Sequence, residues 1–315
     1  LCAGTLNLQI ENVGKTEAPV RAGPGVLGGA GSCLVSSDGR KAFAEEMERL
    51  KERCAMHRAS DTVGSAEPRS RTDLAGRVEA IPLETVPFDH LYLQHMFSPD
   101  EYRRLLDHLP ETRRYRELTH REAVQPDGTS ARRKFYLLPE HVRWLPAEQR
   151  AYWRELSRHL RSRGLQKAFK SKFRAALEQR FGTSIDKLSF YPVPMLLRDL
   201  GGYRIGIHGD GQRKAITVQF YLPRDESQAH LGTLFHEGRN GEAAQRTKRL
   251  AFVPGAGYAF PVIRHQSWHS VPQTADSDGE RNSLMLTYYV QQGPLAWLAQ
   301  RIHRLAVFIG YGLRK

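Results

Sequence analysis

Cysteine is scarce in this chain of 315 residues: Cys2, Cys33 and Cys54 are the only three, all early and ahead of the patterned region. An odd number so placed does not make a disulfide framework, and a reducing compartment, the cytoplasm, is the expected setting. Long apolar runs are missing as well. No window of about 18 or more uncharged apolar residues occurs, so no spanning helix is expected. Acidic side chains are outnumbered, 34 against 47 Lys and Arg, for a formal net charge of +13. That excess favours anionic partners at long range, whether nucleic acid, acidic lipid or an anionic small molecule, and does not choose among them. What the chain does have is a hydrophobic fraction of 40%, enough for a buried core.

Residues 1–80 mix Gly, Ser, Ala, Thr and charge without sustained periodicity, apart from a short helix around Arg40 to Arg53, and are expected to be a disordered leader. The character changes at Ile81, and a folded domain is expected over 81–294, helical over 81–182 and β over 183–292. Val86 to Leu93 reads as an entering strand. Ser98-Pro99-Asp100-Glu101 sets a helix start, with Ser98 as cap, Pro99 in the first helical position and Glu101 able to reach back to the Ser98 amide. Between Pro146 and Phe181 lies a helical, strongly basic stretch, either a solvated face or a docking surface for an acidic partner. After Phe181 the pattern alternates. Strands are expected at Leu188 to Tyr191, Tyr203 to Asp210, Ile216 to Leu222, His230 to His236, Leu250 to Val253, Tyr258 to Val262 and Ser283 to Val290, a density that indicates an antiparallel sandwich or barrel braced by the preceding helices. Residues 295–315 read as a basic amphipathic helix that packs on its own domain or rests on an anionic membrane surface.

His208 and Asp210 are two apart on an expected strand, so their side chains share a face. A carboxylate in an apolar sheet is costly without compensation, and a divalent metal is a strong compensator. His269 lies several strands further on, where the chain has room to cross the sandwich and return. Added to the pair, it makes a face of two histidines and one carboxylate that leaves three octahedral positions free. His236 and His265 are its rivals. Arg281 and Ser283 are also two apart, and a guanidinium beside a hydroxyl is a fork suited to a carboxylate. On Ile216 to Leu222 the polar Thr217, Gln219 and Tyr221 alternate with Val218, Phe220 and Leu222, so a polar face lines a pocket if the apolar face meets the helices.

In this order, His-x-Asp, a distal His and a basic residue shortly after it resemble the 2-oxoglutarate/Fe(II)-dependent dioxygenase superfamily over about Ile81 to Gln292. The bacterial prolyl-hydroxylase-like group is the nearest in pattern, with a stretch like Gly202-Tyr203-Arg204-Ile205 before the His-x-Asp and a Tyr-Leu-Pro like Tyr221-Leu222-Pro223 closing the next strand. The resemblance implies a mainly β fold with bracing helices (α+β) and a double-stranded β-helix, or jelly-roll, core. It implies iron held by His208, Asp210 and His269, and 2-oxoglutarate held by Arg281 and Ser283, with Tyr221 as a second hydrogen-bonding group. Fe(II), 2-oxoglutarate and O2 would be used, with ascorbate supportive, and a small molecule, sugar unit or peptide side chain hydroxylated. Tyr203 and Arg204 are expected to border the substrate. Prolyl 4-hydroxylases proper usually carry Lys in place of Arg281, and nucleic-acid demethylases carry a second Arg where Thr287 stands, so nucleic acid is not expected as a partner. The other reading is a non-catalytic jelly-roll binding module that uses its basic helices for an anionic partner.

Overall fold

The computed structural model describes residues 73–118, 127–238, 247–291 and 301–302. The expected leader therefore lies outside the described residues up to 72. Its last part does not: helix α1 (Leu74–Ala80) is capped by Asp73, which accepts from the Gly76 amide at 2.9 Å, and buries Leu74 and Val78 in the main core. Strand β1 (Leu91–Leu93) follows, then helix α2 (Pro99–Asp107). Its start is the expected capping box: the Glu101 amide donates to Ser98 Oγ at 3.2 Å and the Ser98 amide to Glu101 Oε2 at 2.8 Å. Strands β2 (Arg116–Glu117) and β3 (Arg132–Tyr136) precede a run of helices, α3 (Pro139–Val142), α4 (Ala147–Leu160), α5 (Arg163–Lys172) and α6 (Arg174–Phe181). The remaining strands are β4 (Phe190–Asp199), β5 (Ile205–His208), β6 (Lys214–Tyr221), β7 (Thr233–His236), β8 (Thr247–Leu250), β9 (Gly257–Pro261), β10 (Trp268–Val271) and β11 (Arg281–Val290).

These strands form a 7-stranded sheet, ordered β1-β9-β6-β11-β4-β3-β2, and a 4-stranded sheet, ordered β5-β10-β7-β8, with every pairing antiparallel. From β4 to β11 the chain passes back and forth between the two sheets, in the larger at β4, β6, β9 and β11 and in the smaller at β5, β7, β8 and β10. That winding is the double-stranded β-helix.

Period-two alternation decides which face of the large sheet meets the helices. Val218, Phe220, Leu284, Leu286 and Tyr288 share one apolar cluster with Leu105, Trp153, Leu160, Phe169 and Leu177 from the helices. The opposite face of the same strands carries Thr217, Gln219, Tyr221, Arg281, Ser283 and Thr287, all buried. An apolar set on one face thus forces a polar set into the space between the sheets. Gly232 is structural, since a Cβ there would lie 2.1 Å from Leu250 O where β7 enters beside β8.

β4 runs well past the expected end at Tyr191. Pro192 and Pro194 lack amide hydrogens and read as strand breakers, but the register with β3 covers only Met195 to Asp199 and leaves both prolines outside it. The basic stretch is more structural than its composition suggests. Lys170 donates to Leu188 O at 2.9 Å, Lys172 to Ile81 O at 2.5 Å, and Arg180 to the carbonyls of Gln212, Lys214 and Val262. These cations cap backbone carbonyls with long, partly buried stems. Of the helix expected over 295–315, Arg301 and Ile302 are helical and the rest lies outside the described residues. Among the described residues no helix is long and apolar enough to cross a membrane.

Candidate metal centre

His208 ends β5 and His269 sits on the adjacent β10, directly opposite it in register, with ring centroids 4.2 Å apart. Each imidazole is held in the same way. His208 Nδ1 donates to Gly206 O at 2.9 Å and His269 Nδ1 to Ser267 O at 3.1 Å. A carbonyl only accepts, so both Nδ1 atoms carry a proton, and in the neutral ring it is Nε2 that keeps the lone pair a metal requires. Asp210 lies two residues beyond the end of β5, in the following loop and not on the strand as expected. It still converges on the histidines, because β6 fixes its carboxylate: Thr217 Oγ1 donates to Oδ2 and Lys214 Nζ to Oδ1, each at 2.5 Å. One ligand atom from each of His208, Asp210 and His269 lies within 4.8 Å of the others.

Neither rival takes part. His236 bonds Ser270 Oγ at 2.8 Å and Thr247 Oγ1 at 3.3 Å, whereas His265 occupies an exposed turn at φ 61 before β10.

The electrostatics favour ligation. Burial disfavours the His269 imidazolium, and His208 adds to the effect against a smaller opposing pull from Asp210, so the pKa falls to about 3. Burial pushes the Asp210 carboxyl up, but Lys214, His269 and His208 outweigh it and hold it well below the ordinary carboxylate range. A neutral imidazole and an ionised carboxylate are the forms that bind a divalent ion. Thr217 was legible only as part of a polar face. Its hydroxyl sets the carboxylate's rotation, so Thr217→Val should weaken metal binding roughly tenfold to a hundredfold with little loss of stability, as read by equilibrium titration with Mn(II).

Further along the same inner face lies the fork. Arg281 opens β11 fully buried, and its guanidinium is fixed on two sides: Nε donates to Leu231 O at 3.1 Å and Nη1 to Asp199 Oδ2 at 2.8 Å. Its plane lies against the Phe252 ring, 4.3 Å from the centroid. The third nitrogen, Nη2, is buried without a hydrogen-bond partner. Beside it, Ser283 Oγ accepts from Gln219 Nε2 at 2.7 Å, and Gln219 Oε1 in turn accepts from Tyr258 at 2.6 Å. That relay takes up an acceptor site on Ser283 and leaves its own proton to be donated elsewhere. Two donors, Arg281 Nη2 and the Ser283 hydroxyl, are thus available to an acceptor that none of the described residues supplies. Buried donors in this condition call for a partner such as water, an ion or a ligand, and a carboxylate fits them. Thr217, which bonds Asp210, and Gln219, which bonds Ser283, are two apart on β6, so the trio and the fork border the same inner face.

The other expected site residues are distributed as follows. Tyr221 is fully buried, with its ring 5.7 Å from Arg281; its hydroxyl donates to Leu250 O at 3.3 Å and accepts from the Thr233 amide at 3.2 Å. Burial pushes its phenol up to about 12 against the Arg281 charge. Tyr203 is buried under Arg132, whose guanidinium lies 4.1 Å from the ring centroid, while Arg204 is exposed. Trp268, next to His269, lies against Gly209. Sequence reading missed Lys214, Asp199 and Arg132. Only Lys214 left a signal, its spacing from Asp210.

No protein-family model matches the chain, and no curated protein matches it. Several solved structures are similar to it. One is an oxidoreductase of the 2OG-Fe(II) oxygenase family from Burkholderia pseudomallei, with 15% identity over 72% of this chain and 93% of that one and a TM-score of 0.40. Another is a prolyl-4-hydroxylase from Pseudomonas putida, with 16% identity, 70% and 100% coverage and a TM-score of 0.43. A third is EvdO2 from Micromonospora carbonacea var. aurantiaca in complex with 2-oxoglutarate, with 15% identity, 73% and 93% coverage and a TM-score of 0.37. At these distances the reading of the site rests on this chain's own side chains. Fold and site together define a double-stranded β-helix protein with a two-histidine, one-carboxylate trio and a buried cationic fork between its sheets.

Proposed function

We propose that this chain is an Fe(II)- and 2-oxoglutarate-dependent oxygenase that hydroxylates a small molecule, a sugar unit or a peptide side chain, releasing succinate and CO2. The observation that carries the reading is the pairing of two features on the buried polar face between the sheets. His208, Asp210 and His269 present a metal-ready face, and the buried Nη2 of Arg281 lacks an acceptor.

Bound iron supplies the activation of O2 that the side chains cannot perform. The protein's part is binding, orientation and exclusion of water. His208 and His269 offer Nε2 because Gly206 O and Ser267 O hold their other nitrogens. Asp210 contributes one oxygen while Thr217 and Lys214 keep the carboxylate turned. Held by these three residues alone, iron would keep coordination positions open for the co-substrate and O2. Arg281 Nη2 and Ser283 Oγ take the co-substrate's far carboxylate, with Tyr221, Phe252 and Tyr258 as the walls behind it. No side chain is needed as nucleophile or general base.

The test is succinate release from 2-oxoglutarate by the full chain with Fe(II) and ascorbate, screened against candidate small molecules, sugars and peptides. A substrate that stimulates succinate release, with loss of activity on chelation and recovery with Fe(II), is the expected result. A chain that binds neither Fe(II) nor 2-oxoglutarate is a binding module and not an oxygenase.

A further inference from the structure

The guanidinium of Arg281 does not have a counter-ion to itself. Asp199, its partner across β4 and β11, is fully buried and is also clamped by Arg132. Arg132 Nε donates to Asp199 Oδ1 at 2.6 Å and Nη2 to Oδ2 at 2.9 Å, a two-point grip, while Arg281 Nη1 shares Oδ2 at 2.8 Å. Register makes the cluster: β3 sets Arg132 opposite Asp199, and β11 sets Arg281 opposite the same residue from the other side. Two guanidiniums and one carboxylate, all buried, leave one positive charge uncompensated. Burial works against the charged Arg132, but Asp199, Tyr203 and Tyr258 together outweigh it and keep it cationic. Arg132 is also saturated on its ring face by Tyr203. The donor without a partner is on the Arg281 side, at Nη2.

An uncompensated buried charge is costly, and an anionic ligand that enters beside it is favoured accordingly. We infer that Arg132 is a positioning and charge-setting residue of the co-substrate site: by occupying Asp199 it keeps Arg281 from being neutralised internally, so that the ligand's far carboxylate completes the cluster. Arg132 acts through Asp199 and does not touch the ligand. This rests on the reading of the Arg281 and Ser283 fork as the 2-oxoglutarate site. It also explains why a fully buried arginine keeps one nitrogen unbonded. With Arg132 present, Asp199 is shared and the fork carries a net charge; without it, Asp199 would belong to Arg281 alone and the fork would be neutral.

The test is a charge cycle read by binding, not turnover. The Mn(II)-loaded full chain is titrated calorimetrically with 2-oxoglutarate under nitrogen, as wild type, as Arg132→Met, and as the double variant Arg132→Met with Asp199→Asn. The single variant removes the excess charge and should weaken 2-oxoglutarate roughly tenfold to thirtyfold, with Mn(II) affinity unchanged. The double variant deletes a buried ion pair and restores the excess charge, so its affinity should return to within about threefold of wild type. A purely structural role predicts the opposite order, with the double variant the weaker binder. A single variant that binds like wild type, or a double variant as weak as the single, overturns the inference. If the single variant does not fold, the double variant decides alone, because a loss of about tenfold or more there contradicts charge control. A wild type that binds no 2-oxoglutarate defeats the fork assignment itself, an outcome distinct from either.

Discussion

Asp210→Ala should reduce 2-oxoglutarate-dependent succinate formation to background and lower metal affinity by at least about a hundredfold, beyond the range seen when an outer-shell partner is lost. Two effects add. The site loses its only anionic ligand, and the ammonium of Lys214, which now bonds Asp210 Oδ1 at 2.5 Å, is left facing the metal position without its partner. A dication is then asked to bind beside an unpaired cation. Metal-free stability should fall as well, since the substitution removes the buried anion that Lys214 and Thr217 bond. Succinate assays and Mn(II) titration on the same preparation give the answer, and a variant with full turnover would exclude this residue from the metal site.

Arg281→Leu is expected to raise the apparent KM for 2-oxoglutarate by about a hundredfold or more, because a ligand carboxylate left unpaired in a buried site loses on the order of 2–5 kcal/mol. The fold should tolerate the change. Asp199 keeps its two-point grip on Arg132, so the substitution leaves a neutral buried pair, and the unmet Leu231 carbonyl costs about 1–3 kcal/mol. Initial rates against 2-oxoglutarate concentration, with circular dichroism melts as the control, check both halves. An unchanged KM would move the co-substrate's far carboxylate elsewhere.

The convergence of His208, Asp210 and His269 was legible because its signal is local or typed: a His-x-Asp spacing of two, and a distal His followed by Arg-x-Ser. The jelly roll was legible because short alternating runs recur between Gly, Pro and Asp. What the sequence hid depends on register between distant strands. Nothing near Arg132 announces that β3 will bring it opposite Asp199, nor that β11 will bring Arg281 to the same carboxylate from the other side. β3 itself, Arg-Arg-Lys-Phe-Tyr, has too much charge to read as a strand, although Arg132 and Phe135 are buried in it. β4 was hidden by Pro192 and Pro194. Helix α1 was lost in a leader-like composition, and only its packing through Leu74 and Val78 shows that the fold includes it. For Tyr221 the polar face was right, and the partners of its hydroxyl, Leu250 O and the Thr233 amide, come from strands that no spacing rule connects to it.

The most direct measurement is an oxygen-free titration of the Fe(II)-loaded chain with 2-oxoglutarate, followed by visible absorption. A charge-transfer band that saturates at one co-substrate per chain, absent from Asp210→Ala and shifted to much higher concentration in Arg281→Leu, is the predicted result. A chain that takes up no iron at His208, Asp210 and His269, or an iron-loaded chain whose spectrum does not respond to the diacid, would contradict it.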